Sequence, residues 1–101
     1  MATRYAYLLA YNDAFGDRDS VKQFLDGRPE ILNWTYVLPY SFFVVSELSA
    51  KDLTQVLHEH RATRNGLARF IVIDVDTDKS GWLPRKTWTF MNHPRAAGEK
   101  P

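Results

Sequence analysis

Residues 4–11 set Tyr5, Tyr7, Leu9 and Tyr11 against Ala6, Leu8 and Ala10. Successive residues of a strand point to opposite faces, so a strand here is apolar on both sides and belongs in the middle of a sheet. The rest of the chain has to supply its neighbours. Ser20-Val21-Lys22-Gln23 has the form of a capping box. Val21, Phe24 and Leu25 then share one helical face, and Gly27 with Pro29 ends a helix of about two turns. Residues 31–38 alternate Leu32, Trp34, Tyr36 and Leu38 with polar Asn33 and Thr35, Pro39 marks a turn, and residues 40–46 form a β-branched and aromatic run. These are the second and third strands. Ser49 caps a second helix whose inner face carries Leu53, Val56, Leu57 and His60. After an Asn65-Gly66 turn signal, residues 70–75 read as a fourth strand, and Pro84 opens a short helix that returns Trp88 and Met91 to the core.

Strand, helix, strand, strand, helix, strand predicts an α+β, ferredoxin-like fold. Its four-stranded antiparallel sheet carries two helices on one face, followed by a short C-terminal helix or an extra strand near Ser80 to Trp82. Residues 1–92 make one such domain, and residues 93–101 read as a flexible tail. In this topology we take the first and third strands as central and parallel, with the fourth as an edge antiparallel to the first. Asp74, Asp76 and Asp78 then lie near Thr3 and Arg4. Asn12 and Asp13 lie at the opposite end of the sheet, with Glu47 and Arg69.

At 101 residues, 45% hydrophobic and 25% charged, the chain has the make-up of one soluble globular domain. The formal net charge of +1 gives no global attraction to polyanions or membranes. The chain contains no cysteine, which removes disulfides, thiolate nucleophiles and cysteine zinc sites and fits a reducing, cytoplasmic setting. The apolar run before Asn12 is too short to span a bilayer, so no membrane partner is expected.

Three aspartates spaced two apart invite a calcium reading. An EF-hand loop starting at Asp74 needs glycine in its sixth place and glutamate in its twelfth, where this chain has Lys79 and Arg85. The alternative is an exposed edge strand whose like charges discourage further pairing, with Arg4 offsetting one of them. His58 and His60 are roughly 200° apart around a helix and do not form a metal pair, which leaves His60 inside and His58 at the surface. No nucleophile elbow or phosphate-binding loop is present. Arg61, Arg64 and Arg69 fall in a stretch without acids, either a phosphate-binding cluster or a solvated loop at a helix C-terminus. The strand aromatics read as core or interface.

Four stretches together resemble the SinR-like proteins, relatives of the small CRISPR-associated endoribonucleases. They are Tyr5 to Tyr11 running into a polar loop, Ser41-Phe42-Phe43-Val44-Val45-Ser46 ahead of the Ser49 cap, Phe70-Ile71-Val72-Ile73, and Gly81-Trp82-Leu83-Pro84-Arg85-Lys86-Thr87-Trp88. The likeness covers residues 4–91. It implies a homodimer with the ends of the two first strands facing each other. In nuclease members an aspartate after the first-strand tyrosine, one from each subunit, holds a divalent ion. Here Tyr11 is followed by Asn12, and Asp13 comes one place later. An amide supplies oxygen without charge, and on a regular strand a shift of one place turns the side chain to the other face. The favoured expectation is a non-catalytic dimeric module, to which the sequence assigns no definite cofactor. It binds nucleic acid through Asn12, Arg64 and Arg69, or binds a protein partner. The alternative is a magnesium- or manganese-dependent endonuclease of RNA or DNA, with Asp13 of both protomers as catalytic and metal-binding residue.

Overall fold

The computed structural model describes residues 3–60, 66–76 and 78–99. Its elements run β1 (Tyr5–Tyr11), α1 (Arg18–Asp26), β2 (Asn33–Thr35), β3 (Ser41–Ser46), α2 (Ala50–Leu57), β4 (Phe70–Asp74) and α3 (Arg85–Asn92), with a single 3₁₀ turn at Asp13–Phe15 after β1. The sheet order is β2-β3-β1-β4, and each neighbouring pair is antiparallel. This is the α+β, ferredoxin-like arrangement.

The two-sided apolar pattern of β1 is met on both faces. Tyr7, Leu9 and Tyr11 join Phe42 and Val44 of β3 under Val21 and Leu25 of α1 and Leu53 and Leu57 of α2. Ala6 and Phe43 on the other face meet Met91 of α3, with Trp88 and Phe90 packed around them. The sheet is therefore the middle of three layers. Two helices share one face, and the C-terminal helix covers part of the other.

Several local expectations change. β3 runs antiparallel to β1, with Tyr5 opposite Ser46 and Ala10 opposite Ser41. Glu47 therefore sits at the start of β1, while Tyr40 sits at its end and accepts the Tyr11 N–H at 3.0 Å. β2 is confined to three residues, and α1 begins ahead of the Ser20 box. The Asp17 carboxylate accepts the Ser20 N–H at 2.8 Å, and a carboxylate at a helix N-terminus also complements the helix dipole. Ser49 does cap α2, accepting the Asp52 N–H.

At the end of β4 the Asp74 carboxylate accepts the Asp76 N–H at 2.9 Å and bends the chain, so Asp76 and Asp78 leave the strand. Arg4 pairs with Glu99 rather than with an aspartate of this run. Residues beyond α3 return to the sheet, where the Ala97 N–H donates to the Leu32 carbonyl at 2.8 Å. Among the described residues no helix is long and apolar enough to cross a membrane.

His60 lies just past α2, only 8% exposed, with its ring 4.9 Å from those of Phe15 and Phe24. Burial lowers its pKa below 6.5, against a weaker opposite effect from a hydrogen bond to the Phe15 backbone. The neutral ring is thus favoured by the fold, and below pH 6.5 the unfolded chain binds the proton more readily. The stabilisation is complete above that pH and falls as pH drops through it. Thermal melts between pH 7.5 and 5.5 are expected to show a loss of stability that His60→Phe reduces; equal losses in both proteins refute the assignment.

Candidate nucleic-acid interface

The chain turns sharply where β1 ends, and Asn12 makes the turn. Its backbone lies in the extended region, and its side-chain oxygen accepts the Phe15 N–H at 3.2 Å and the Arg69 N–H at 2.9 Å. Its amide nitrogen donates to the Leu67 carbonyl at 3.0 Å, and its backbone N–H donates to the Arg69 carbonyl at 3.1 Å. One side chain therefore caps the 3₁₀ turn and fastens the segment leading into β4. A carboxylate has no proton for the Leu67 carbonyl, so the full set of bonds fits an amide.

Asp13 opens the 3₁₀ turn and is exposed. It has left the strand, so strand alternation no longer determines its direction. The Arg69 guanidinium donates from one nitrogen to the Gly66 and Ala68 carbonyls, both at 2.9 Å. Asn12 and Arg69 are thus in direct contact with Asp13 adjoining, while Arg64 and Arg61 lie outside the described residues. No group of three or more histidine or acidic side chains able to hold a metal occurs among the described residues. Nor does Asn12 fit as a ligand, because its oxygen already accepts two N–H groups.

Beside this turn lies a feature that residue spacing did not reveal. The Tyr11 ring is buried against Phe15, Phe42 and Tyr40, with centroids 5.4, 6.2 and 6.0 Å away. Its hydroxyl is buried without a hydrogen-bond partner among the described residues. Desolvation is the main effect holding this phenol above its usual pKa, partly opposed by Arg18. Tyr40, at the rim, is 52% exposed and has φ 55°, in the left-handed region that a bulky side chain seldom adopts.

From there an aromatic and cationic ledge runs along β2 and α1. The Arg18 guanidinium lies 4.3 Å from the Tyr36 ring centre. Tyr36 and Trp34 are nearly parallel, 11° apart in plane with centroids 6.3 Å apart. The Lys22 ammonium is 5.6 Å from the Trp34 ring. The Trp34 indole N–H is fixed by the Asp26 carboxylate at 2.6 Å. Arg18 and Lys22 are four apart on one helical face, while Trp34 sits in β2 and Tyr36 just past its end, two residues on. Each spacing is visible in the sequence, but their meeting depends on how α1 packs.

Cations near aromatic faces, with part of each ring open, provide both parts of a single-strand platform: rings on which bases stack and positive charges for phosphates. Comparison of the chain with models of known protein families, with curated proteins and with solved structures returned no match.

Asn12→Ala removes the side-chain bonds to Phe15, Leu67 and Arg69 and is expected to destabilise the fold by about 2 kcal/mol. Urea unfolding measures this, and a change below about 0.5 kcal/mol contradicts the clamp.

Proposed function

We propose that this chain is a small homodimeric module that binds single-stranded nucleic acid without cleaving it. The observation that carries the reading is the ledge in which Arg18 covers Tyr36 and Tyr36 stacks beside Trp34. Bases stack on the open parts of Tyr36 and Tyr40, and Arg18 and Lys22 meet the phosphates. Arg69, with Asn12 holding its backbone, extends the cationic track at the same end of the sheet. The resemblance to the SinR-like proteins supports the dimer. The commitments of Asn12 weigh against catalysis, since the position where nuclease relatives carry an acidic ligand holds an amide engaged in structural bonds.

Fluorescence anisotropy with labelled single-stranded RNA and DNA tests this reading. Tyr36→Ala and Arg18→Ala are each expected to weaken binding by about 5- to 140-fold, the range that stacking and cation contacts of about 1–3 kcal/mol imply. The double change Arg18→Ala/Lys22→Ala should reduce the steepness of the salt dependence by about 1.4, as for two phosphate contacts on a single strand. No binding by the wild type at low salt removes nucleic acid and leaves a protein partner as the function of the ledge.

A second reading is favoured by the exposure of Asp13 beside Arg69. In it, Asp13 from two protomers holds magnesium or manganese and Arg64 or Arg69 contacts the scissile phosphate of RNA or DNA. Incubation of labelled substrates with either metal or with chelator, beside Asp13→Ala, separates the readings. The expected result is no cleavage that depends on both metal and Asp13; cleavage that depends on both establishes the nuclease.

A further inference from the structure

β4 is the outer strand of the sheet beside β1, and among the described residues no strand pairs with its far side. The Arg69 carbonyl accepts from Asn12 and the Val75 N–H donates to the Ala6 carbonyl, so the odd-numbered positions use their backbone groups toward β1. By the alternation of an antiparallel ladder, Phe70, Val72 and Asp74 direct theirs outward. The strand reads Phe-Ile-Val-Ile-Asp, without the lysine, proline or bulge that commonly protects an edge. Ile71 and Ile73 on its outer sheet face are 56% and 42% exposed.

We propose that this edge takes a second copy of the same chain, β4 against β4, antiparallel about a two-fold axis through Val72. The inference rests on the dimeric part of the proposed function and is independent of nucleic-acid binding. Register follows from hydrogen bonding. Centred on Val72, the pairing sets Val72 opposite Val72 of the other copy and Phe70 opposite the partner's Asp74, so every outward-directed residue of the strand finds a counterpart. A centre on Ile71 or Ile73 leaves one outward residue of each strand unmatched. The chosen register also places Ile71 across from the partner's Ile73 as a close, non-hydrogen-bonded pair, covering both exposed side chains.

Charge selects the same arrangement. Arg69 precedes the strand, and Asp74, Asp76 and Asp78 end and follow it. Antiparallel pairing brings Arg69 of each copy beside the partner's acidic end and keeps the two acidic ends at opposite extremes of the interface. The aspartates that we expected to discourage edge pairing oppose only a parallel approach. In this dimer the two Asn12 turns lie diagonally apart, not facing each other as the resemblance implies, so the pairing departs from that arrangement and the Asp13 carboxylates do not share an ion.

A chain without cysteine allows a direct test. Ile71→Cys and Ile73→Cys proteins are prepared separately and oxidised alone and as a mixture. A disulfide-linked dimer that forms strongly only in the mixture is expected, because position 71 faces 73 and not itself. Ile71→Lys/Ile73→Lys, which alters only surface positions, should convert a dimer in light scattering into a monomer with unchanged circular dichroism. A wild-type monomer at high micromolar concentration overturns both this interface and the dimeric reading. A wild-type dimer without the 71–73 cross-link overturns the interface alone. Preferential linkage of Ile71→Cys to Gly81→Cys also overturns it, assigning the edge to the Ser80 to Trp82 segment of the other copy.

Discussion

Burial of β1 from both sides is the constraint on which the rest of the structure depends. Leu9 has no exposed surface, and Ala6, on the opposite face, retains 3%. A strand in that position needs hydrogen-bonding neighbours on both edges and apolar cover on both faces. β3 and β4 supply the edges, α1 and α2 one cover and α3 the other. The short C-terminal helix is therefore part of the fold's architecture, because Met91 closes the layer above Ala6 and Phe43.

The end of this strand is also where structure and chemistry compete for the same residues. Asn12 holds two segments together with its side chain, which makes it a good clamp and a poor metal ligand. Tyr11, the preceding residue, keeps its hydroxyl inside an aromatic nest. The ledge formed by Arg18, Lys22, Trp34 and Tyr36 lies next to these residues but depends on a different device, the packing of α1 against β2. The clamp and the aromatic ledge thus use adjacent but separate groups.

Much of the fold was legible because its signals are local. Alternation marked β1, the Ser49 cap and its apolar stripe marked α2, and the element order gave the antiparallel four-stranded sheet. Where a local signal had a close rival, it misled: Asp17 lies three residues before Ser20, and its carboxylate starts α1 earlier than the serine would. Relations across the fold were less accessible. The assumed direction of β3 against β1 placed Glu47 at the wrong end, and two of the three partners of the Asn12 side chain lie 55 and 57 residues away. Trp34 and Tyr36 read as strand aromatics because their alternation is that of a core, whereas the cations over them come from α1. Of the candidate site, the neighbouring positions of Asn12 and Arg69 were readable from topology, but the amide's three-way bonding was not.

Tyr40 has a consequence of another kind. Its left-handed backbone suits glycine or asparagine, which fold there with less strain than tyrosine, a difference of about 1 kcal/mol. A search for more stable variants would therefore tend to replace this residue and, with it, the aromatic rim over Tyr11. At this position the backbone preference and the exposed ring pull in opposite directions, so the aromatic rim is set against local conformational ease.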